Sequence, residues 1–291
     1  MQKVLITGID SFTGHHLSTY LAQQGYDVYG TSLIKRGDKL FRCDITDTLD
    51  IIEVLQKVRP DFLIHLSGIS FPAHGNNEDF YRVNTLGTIN LLEALLELDI
   101  APNKVILASS ATVYGNQNRA VLDESLCPQP ANHYGASKFA MESLVANYFE
   151  KLPILITRPF NYTGVGQAEH FLIPKIVKHF REKHTVIELG SLNVRREFND
   201  VGFVCEVYRR LLSCTARSQT INLCSGRGIQ LLDVIETMNT LSGYAIEVEV
   251  NPAFVRKDEI QSLTGSVEKL FEIIGEVKQK PFEETLRGML G

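Results

Sequence analysis

The feature that most constrains the fold of this chain is a glycine-containing turn between its first apolar run and its first helical pattern. Residues 3–7 (KVLIT) form a short aliphatic run, and the turn GIDSFTG follows at residues 8–14. A strand, a turn and a helix in this order bring helix amides and the positive end of the helix dipole to the turn. Such turns bind pyrophosphate, so we predict a dinucleotide site here, with Ser11 at the position of a middle glycine. The predicted contacts are Gly8, Ser11, Phe12, Thr13 and Gly14.

Strand-like and helical segments continue to alternate through the first half of the chain. Strand-like runs lie at residues 27–31, 39–43, 61–66, 104–109 and 153–157. Between them, apolar residues recur with helical periodicity, notably at 47–58, about 78–98 and about 134–150. Strands that are apolar on both faces and alternate with helices indicate a parallel sheet covered on both sides. The sequence therefore predicts an α/β fold with a doubly wound parallel sheet, the Rossmann architecture.

The second half of the chain has a less regular pattern. After Thr157 only residues 171–182 have a clear helical period, and turn residues interrupt the rest. A length of 291 residues suits two lobes at ~100–200 residues each. We expect residues 1–160, with about 192–223 returning to them, to form the dinucleotide-binding domain, and 161–291 to be mainly a smaller substrate-binding lobe. The cleft between the lobes is the natural ligand site.

The charge and hydropathy of the chain exclude several classes of partner. The net charge is −5 and no long block of Lys or Arg occurs, so the pattern argues against binding of nucleic acid or of an anionic membrane. No stretch reaches the ~20 apolar residues that a membrane span needs. We therefore expect a cytoplasmic protein with no nucleic-acid or membrane partner.

The cysteines and histidines lack the spacing of a metal site. The five cysteines are scattered with no C-x-x-C pair, and we expect them to be reduced and mostly packed in the interior. His15 and His16 are adjacent on a predicted helix and would point about 100° apart, which disfavours chelation by both. The other histidines show no ligand spacing, so no metal is predicted.

The end of the predicted second strand bears on the choice of cofactor. Where an Asp or Glu would hold the ribose hydroxyls of NAD, the chain has TS at 31–32 and KR at 35–36. With no carboxylate there to repel a 2′-phosphate, the pattern favours NADP(H), with Ser32, Lys35 and Arg36 as phosphate contacts. The alternative is that these are solvated loop residues, and NAD(H) then remains open. Asp44 is placed to accept a hydrogen bond from the adenine amino group, or else to cap the following turn.

Two segments carry residues suited to acid–base chemistry. Tyr134 and Lys138 are four residues apart, hence about one turn apart on one helix face. An ammonium near a phenol lowers the phenol pKa from its usual ~10, so that the hydroxyl can exchange a proton near neutral pH. Ser110 follows the strand-like run 104–109, at the strand end where parallel sheets present reactive residues, and can hold a carbonyl oxygen. Alone, Y-x-x-x-K is a frequent accident; the two segments together predict an oxidoreductase site.

Five stretches of the chain together resemble the extended short-chain dehydrogenase/reductase family: TGIDSFTG (7–14), HLSG (65–68), SSATVYG (109–115), YGASK (134–138) and RPFN (158–161). The resemblance covers nearly the whole chain. It implies that Ser110 is the catalytic hydroxyl, Tyr134 the acid/base and Lys138 the lysine that also binds the nicotinamide ribose. The family's asparagine beside the active site matches Asn84. With it we assign to the cofactor site Ile45, Leu66, Ser67, Gly68 and Asn84.

The resemblance also narrows the reaction and the substrate. Ala111 and Thr112 stand where the family's sugar-nucleotide dehydratases carry a carboxylate pair, so elimination of water is disfavoured. RPFNYTGVGQ (158–167), RREFNDV (195–201), INLCSG (221–226) and NPAFVRKDE (251–259) resemble the GDP-4-keto-6-deoxy-D-mannose reductases of the family. This implies that Arg196 and Arg256 clamp a substrate diphosphate, with Asn161 and Lys175 as further substrate contacts. The alternative for each arginine is a surface ion pair.

These expectations define one reaction and two rivals. The expected reaction is reduction of the C4 ketone of a nucleotide-linked 4-keto-6-deoxyhexose by NAD(P)H, with GDP-4-keto-6-deoxy-D-mannose giving GDP-D-rhamnose. The nearest rival is a nucleotide-sugar 4-epimerase, which would use the same three residues and retain NAD⁺. The other rival is a regulatory protein that binds NADP without chemistry. The resemblance further implies a homodimer formed by the helices near 78–98 and 134–150.

Overall fold

A computed structural model describes residues 1–70, 75–255 and 260–291 of the chain. The strands β1 to β14 are, in order, Lys3–Thr7, Asp27–Ser32, Leu40–Arg42, Phe62–His65, Lys104–Ala108, Ile154–Pro159, Tyr162–Thr163, Val186–Leu189, Arg195–Glu197, Asn199–Asp200, Gln219–Leu223, Gly228–Gln230, Glu247–Val250 and Ser262–Leu263. The helices α1 to α10 are Phe12–Gln23, Thr48–Val58, Asn77–Asp79, Gly87–Glu97, His133–Val145, Leu172–Arg181, Val201–Ser213, Leu231–Ser242, Glu268–Ile274 and Phe282–Leu290.

The centre of the molecule is a seven-stranded sheet in the order β11-β6-β5-β4-β1-β2-β3. Every neighbouring pair in this sheet is parallel. The chain runs outward from β1 to β2 and β3 on one side and from β4 to β5 and β6 on the other, so the strand order reverses between β1 and β4. The predicted doubly wound parallel sheet is confirmed, and its reversal point is where such folds bind ligands.

Alternate residues of each strand feed two different cores. On one face, Val4 packs with Val204 in the layer formed by α1, α7 and α9. On the other face, Leu5 packs with Leu92 and Met141 in the layer formed by α2, α4 and α5. The alternation follows from the period of two in a strand, and it explains why the strand segments are apolar at nearly every position.

The remaining elements form a smaller body with its own core. Helices α6, α8 and α10 enclose buried side chains that include Ile176, Val234, Met238 and Leu286. β8 pairs with β13, and β9 lies between β12 and β14. The chain leaves the large sheet after β6, comes back through α7, which packs on α1, and adds β11 at the sheet edge. The two bodies are therefore joined by several chain crossings rather than by one linker.

Local sequence explains where several helices begin. Polar side chains at the N-cap accept a hydrogen bond from a backbone amide of the first turn, which satisfies one of the four amides that a helix start leaves unpaired. The caps and their donors are Ser11 with Gly14 N, Asp47 with Leu49 N, Asn132 with Gly135 N and Asp200 with Gly202 N.

The helix predicted at about 78–98 differs from expectation in its middle. Residues Phe80–Leu86 form a π-helical segment between α3 and α4, closed by a hydrogen bond from Gly87 N to Arg82 O. π-Helical segments are rare in proteins, and those that occur often lie at functional sites. The helix predicted at about 134–150 is α5, which ends at Val145 and continues as a single 3-10 turn over Ala146–Tyr148.

A buried ion pair attaches α5 to the sheet. Arg158 of β6 donates from Nε to Glu142 Oε1 at 3.0 Å and from Nη2 to Glu142 Oε2 at 2.6 Å. Both side chains are 6% exposed, and the guanidinium lies 4.7 Å from the centre of the Tyr114 ring. The two opposite charges neutralise each other in a buried layer. Removal of one side chain therefore leaves the other charge buried without a counter-charge.

Glu142→Ala is expected to lower the free energy of unfolding by about 3–5 kcal/mol, because it leaves the Arg158 guanidinium buried and unpaired. Urea denaturation followed by circular dichroism measures this loss. The matched control is Glu53→Ala, which breaks an exposed pair with Lys57 and should cost less than about 1 kcal/mol. Equal losses in the two variants would contradict the proposed role of the buried pair.

Candidate active site

The carboxyl ends of the central strands bring the predicted site segments together. The parallel register aligns Thr7 with His65, His65 with Leu107, and Ala108 with Thr157. The segments that follow β1, β4, β5 and β6 therefore emerge side by side at one edge of the sheet. These are the segments that hold the glycine turn, the HLSG stretch, Ser110 and the RPFN stretch.

The turn after β1 has the close backbone approach that a dinucleotide requires. Gly8 has φ +68°, a region that favours glycine, and its amide donates to Thr31 Oγ1 at 3.3 Å. A Cβ at Gly14 would lie 2.4 Å from Gly8 O, so helix and turn can meet only with glycine there. Ser11 has φ −68° and caps α1 by accepting from Gly14 N at 3.1 Å, which explains why a serine is tolerated at the middle position. This cradle fits a pyrophosphate group.

The segment after β4 is tied to the same turn. Thr7 Oγ1 accepts hydrogen bonds from the amides of Leu66 and Ser67, both at 3.2 Å. A Cβ at Gly8 would lie 3.0 Å from Ser67 N. The predicted cofactor residues of β1 and β4 are thus held within van der Waals contact of each other.

The expectation that the end of β2 carries no carboxylate nearby is wrong. Ser32 Oγ donates to Asp10 Oδ2 at 2.6 Å, so the turn itself delivers a carboxylate to this strand end. Ser32 Oγ also accepts from the amides of Ile34 and Lys35, at 3.2 and 3.0 Å. The side chains of Lys35 and Arg36 are exposed. The premise that favoured NADP(H) therefore does not hold.

Asp44 adopts its alternative role as a turn cap. Its Oδ1 accepts from both the amide and the hydroxyl of Thr46, at 2.9 and 2.8 Å. The neighbouring Ile45 is buried, and its Cγ2 would lie 2.8 Å from a Cβ at Gly87. Contacts of Asp44 and Ile45 with adenine stay a prediction.

Asn84 lies in the π-helical segment and connects three parts of the site. Its Oδ1 accepts from Ile69 N at 2.8 Å, and its Nδ2 donates to Ile69 O and to Ser137 Oγ, both at 3.1 Å. A Cβ at Gly68 would lie 2.8 Å from Asn84 Oδ1 and 3.4 Å from Lys138 Nζ. Glycine at position 68 thus allows the amide and the ammonium to converge beside the loop that follows β4.

The three predicted catalytic side chains meet in a buried group. Lys138 Nζ donates to Ala108 O at 2.7 Å. The Ser110 side chain lies close enough to the Tyr134 hydroxyl to influence its pKa. Ser110 Oγ accepts from the amide and from the hydroxyl of Thr112, at 3.2 and 2.9 Å. These two bonds fix the position of the Ser110 hydroxyl and leave its own proton uncommitted.

The protonation of this group differs from the sequence-based expectation. Burial raises the pKa of Tyr134 to about 12, although the hydrogen bond from Ser110 opposes the shift. Burial lowers the pKa of Lys138 to about 8, against the attraction of Glu142. The expected lowering of the Tyr134 pKa by Lys138 does not occur here, because both groups are desolvated and the ammonium is bonded to a carbonyl. At neutral pH Tyr134 is a phenol and Lys138 is mainly an ammonium.

His65 is a structural member of the site. Its Nδ1 lies 2.7 Å from Thr7 Oγ1 and its Nε2 lies 3.0 Å from Thr88 Oγ1. Burial and the charge of Lys138 lower its pKa to about 3, so the ring is neutral. It joins β1, β4 and α4 and does not act as an acid or base at neutral pH.

Two of the predicted substrate residues, Lys175 and Arg196, lie in the smaller body and already have local partners. Arg196 donates to the carbonyl of Arg195 at 2.9 Å and to the carbonyl of Ile260. Lys175 Nζ donates to Glu188 O at 2.7 Å. The side chain of Asn161 is exposed at the end of β6, and Arg256 lies outside the described residues. Their substrate contacts stay a prediction.

Two residues near the site were not predicted to act there. The Tyr162 hydroxyl lies 2.6 Å from Thr13 Oγ1, and its ring stacks on Phe12 with 6.2 Å between the ring centres, so Tyr162 contacts the start of α1. Thr112 orients Ser110, as described above. The position of Thr112 two residues after Ser110 offered a signal, whereas nothing local pointed to Tyr162.

Comparison with known proteins agrees with this geometry. The model of the NAD dependent epimerase/dehydratase family matches residues 4–224. The chain belongs to this family. It is an extended short-chain dehydrogenase/reductase, and the predicted resemblance is confirmed.

Two relatives of this family member are similar over most of their length. GDP-6-deoxy-D-talose 4-dehydrogenase of Aggregatibacter actinomycetemcomitans is 36% identical over 94% of this chain and 91% of its own. GDP-6-deoxy-D-mannose reductase of Pseudomonas aeruginosa is 31% identical over 99% and 96%. The structure of RMD from Pseudomonas aeruginosa complexed with NADPH superposes with a TM-score of 0.88 and 28% identity, covering 100% of this chain and 96% of that one.

Residues 1–70, 75–255 and 260–291 contain neither a membrane-spanning helix nor a cluster of metal ligands. No helix in these ranges has the length and apolar character to cross a membrane, and no three His, Cys, Asp or Glu side chains cluster as metal ligands would. His16 Nε2 lies 2.8 Å from Val165 O. The centres of the His15 and His16 rings are 6.0 Å apart.

Lys138→Met is expected to raise the free energy of unfolding at pH 7 by about 3 kcal/mol, since burial holds the Lys138 pKa at about 8 rather than 10.5. Between these pH values the unfolded chain binds more protons, so the stability of the parent protein should rise with pH. The gain from the substitution should therefore shrink toward pH 10.

Urea denaturation at pH 7 and pH 10 measures both effects. The matched control is Lys57→Met, on the exposed face of α2, which should change the free energy of unfolding by less than about 1 kcal/mol. A loss of stability in Lys138→Met at pH 7 would show that the ammonium is better solvated than its burial indicates.

Proposed function

We propose that this chain is an NAD(P)(H)-dependent oxidoreductase that reduces the C4 ketone of a nucleotide-linked 4-keto-6-deoxyhexose. The preferred reaction is GDP-4-keto-6-deoxy-D-mannose to GDP-D-rhamnose. The observation that carries the proposal is the buried group of Ser110, Tyr134 and Lys138 at the carboxyl edge of the sheet, with Tyr134 protonated at neutral pH. A protonated phenol is a proton donor, which is what an alkoxide formed from a ketone needs.

The residues that would hold the cofactor are those of the glycine cradle and of the loop that Asn84 supports. Gly8 and Gly14 allow the pyrophosphate to approach the amides that begin α1. Lys138 lies 3.4 Å from the Cβ position of Gly68, at the reversal point of the sheet. When bound there, the nicotinamide supplies the hydride for reduction or accepts it for oxidation.

The chain's own residues manage the proton at the sugar oxygen. Tyr134 donates its phenolic proton to the C4 oxygen as charge develops on it. Ser110, held by two hydrogen bonds from Thr112, donates to the same region and steadies the oxygen. Lys138, bonded to Ala108 O beside Gly68, would hold the nicotinamide ribose. In the oxidation of an alcohol these roles run in reverse.

The relatives support a GDP-linked 6-deoxyhexose. Both are named for one, and the chain covers most of each. Their names also favour a second candidate, in which the alcohol is that of GDP-6-deoxy-D-talose. D-Talose and D-mannose differ only at C4, so the two alcohols share one ketone and differ in the face that receives the hydride. Arg196 and Arg256 remain the proposed contacts for the diphosphate, and the implied homodimer stays a prediction.

The test is consumption of NADH and NADPH with GDP-4-keto-6-deoxy-D-mannose, alongside dTDP- and UDP-linked 4-keto sugars, with each product identified by NMR. GDP-D-rhamnose is the expected product, and GDP-6-deoxy-D-talose would assign the second candidate. Failure with every keto sugar, together with inversion of a UDP-hexose at C4 and copurifying NAD⁺, would replace the proposal by an epimerase. Cofactor binding without any turnover would indicate a non-catalytic binding protein.

Tyr134→Phe is expected to lower kcat by about 10²–10⁴-fold, because the proton donor is removed. Tyr26→Phe is the matched control: Tyr26 packs on Phe62 before β2, away from the carboxyl edge of the sheet, and its loss should leave kcat unchanged. If a folded Tyr134→Phe protein turned over near the parent rate, the proposed acid would be wrong.

Thr112→Val is expected to lower kcat about fivefold with little change in KM, because one hydrogen bond of about 1 kcal/mol no longer orients Ser110. Steady-state kinetics on the same substrate measure kcat and KM separately. Thr112→Ser keeps the hydroxyl and should restore most of the rate. A valine variant as fast as the parent would remove Thr112 from the mechanism.

A further inference from the structure

We propose that Asp10 makes this enzyme prefer NAD(H) to NADP(H). The inference rests on the proposed use of a nicotinamide cofactor at the 8–14 turn. It adds the residue that distinguishes the ribose 2′-hydroxyl of NAD(H) from the 2′-phosphate of NADP(H). It reverses the preference that the sequence around β2 favours, and it depends on one contact that only the folded chain creates.

The contact places a carboxylate where the adenosine ribose is read in this fold. β1 and β2 are neighbours with Thr7 aligned to Thr31, so the turn after β1 and the end of β2 lie side by side. Asp10 crosses this gap and accepts from Ser32 at 2.6 Å. In Rossmann folds the acidic residue for the ribose hydroxyls normally comes from a position about 20 residues beyond the turn. Here the turn itself supplies the acidic group to the same place.

The carboxylate retains the capacity to bind a hydroxyl. An ionised Asp has two oxygens with about four lone-pair positions, and the bond from Ser32 uses one of them. The residue is exposed, so its remaining lone pairs can accept from a ribose 2′-hydroxyl. A 2′-phosphate at the same place has no proton to donate and carries about −1.5 to −2 charge, which the carboxylate repels.

The hydrogen bonds of Ser32 also leave it without a proton to donate to a 2′-phosphate. Its proton goes to Asp10, and its oxygen accepts from the amides of Ile34 and Lys35. To donate to a 2′-phosphate, Ser32 would have to release the Asp10 carboxylate next to that phosphate. Lys35 and Arg36 are exposed, and within the described ranges of the chain neither forms an ion pair with Asp10. The Asp10 carboxylate is therefore not held in a direct ion pair with either cation.

The experiment measures binding rather than turnover. The dissociation constants of NADH and NADPH are determined by nicotinamide fluorescence on purified enzyme freed of bound nucleotide. ADP-ribose and its 2′-phosphate are then compared by calorimetry, which leaves the nicotinamide out. The parent protein is expected to bind NADH and ADP-ribose about tenfold or more tightly than the 2′-phosphorylated ligands.

Asp10→Asn tests the charge with little change of shape. It should tighten NADPH and weaken NADH, so that the ratio of the two dissociation constants shifts by about tenfold or more toward NADPH. Asp38→Asn is the matched control, because it removes a nearby exposed carboxylate outside this contact, and it should leave the ratio unchanged. Thermal unfolding of both variants verifies that they are folded.

The outcomes separate this inference from the function on which it rests. A parent protein that binds NADPH as tightly as NADH, or an unchanged ratio in Asp10→Asn, would overturn the role of Asp10 and leave the oxidoreductase proposal standing. If Asp38→Asn shifted the ratio of dissociation constants equally, the change would be explained by net charge alone. That result would also overturn the role of Asp10. Failure of every dinucleotide to bind the folded parent protein would overturn both proposals.

Discussion

The parallel register of the central sheet is the constraint on which the rest of this structure depends. Because β1, β4, β5 and β6 run in the same direction and in step, four separate loops emerge at one edge. Gly8, Gly68, Ser110 and Asn161 belong to those loops and are far apart in the chain. An antiparallel strand in this set would send one of the loops to the opposite edge, and the cofactor cradle and the acid–base group could not meet.

Burial around Tyr134 and Lys138 favours the neutral form of each side chain, and keeping Lys138 charged at neutral pH costs stability. Desolvation moves the two pKa values apart, raising that of Tyr134 to about 12 and lowering that of Lys138 to about 8. A buried ammonium is costly, and the fold retains it one helical turn from Glu142, which pairs with Arg158 of β6. Enzymes commonly place such groups at active sites because the cost is repaid in the reaction rather than in folding.

The smaller body is held to the large sheet by a buried carboxylate. Glu197 of β9 accepts from the amides of Ser225 and Gly265 and from the side chain of Asn199. These donors lie after β11, after β14 and in β10, so a single side chain ties together strands from both bodies. Burial raises the pKa of Glu197, and the hydrogen bonds oppose that shift, as is usual for a carboxylate that replaces water with amides. The RREFNDV stretch therefore has an architectural role beside any contact with substrate.

The sequence by itself determined the fold class and the position of the glycine turn, and it predicted which residues would do the acid–base chemistry. These are properties of local patterns: apolar runs on both faces of a strand, glycines where backbone must approach, and a Tyr–Lys spacing of one helical turn. Tertiary structure alone decided the protonation of Tyr134, the orientation of Ser110 by Thr112, and the partners of Arg196. It also decided that Asp10 reaches Ser32, twenty-two residues further along the chain. The reason is physical: burial and through-space hydrogen bonds depend on which elements pack together, and that information is spread over the whole chain rather than carried by any one motif.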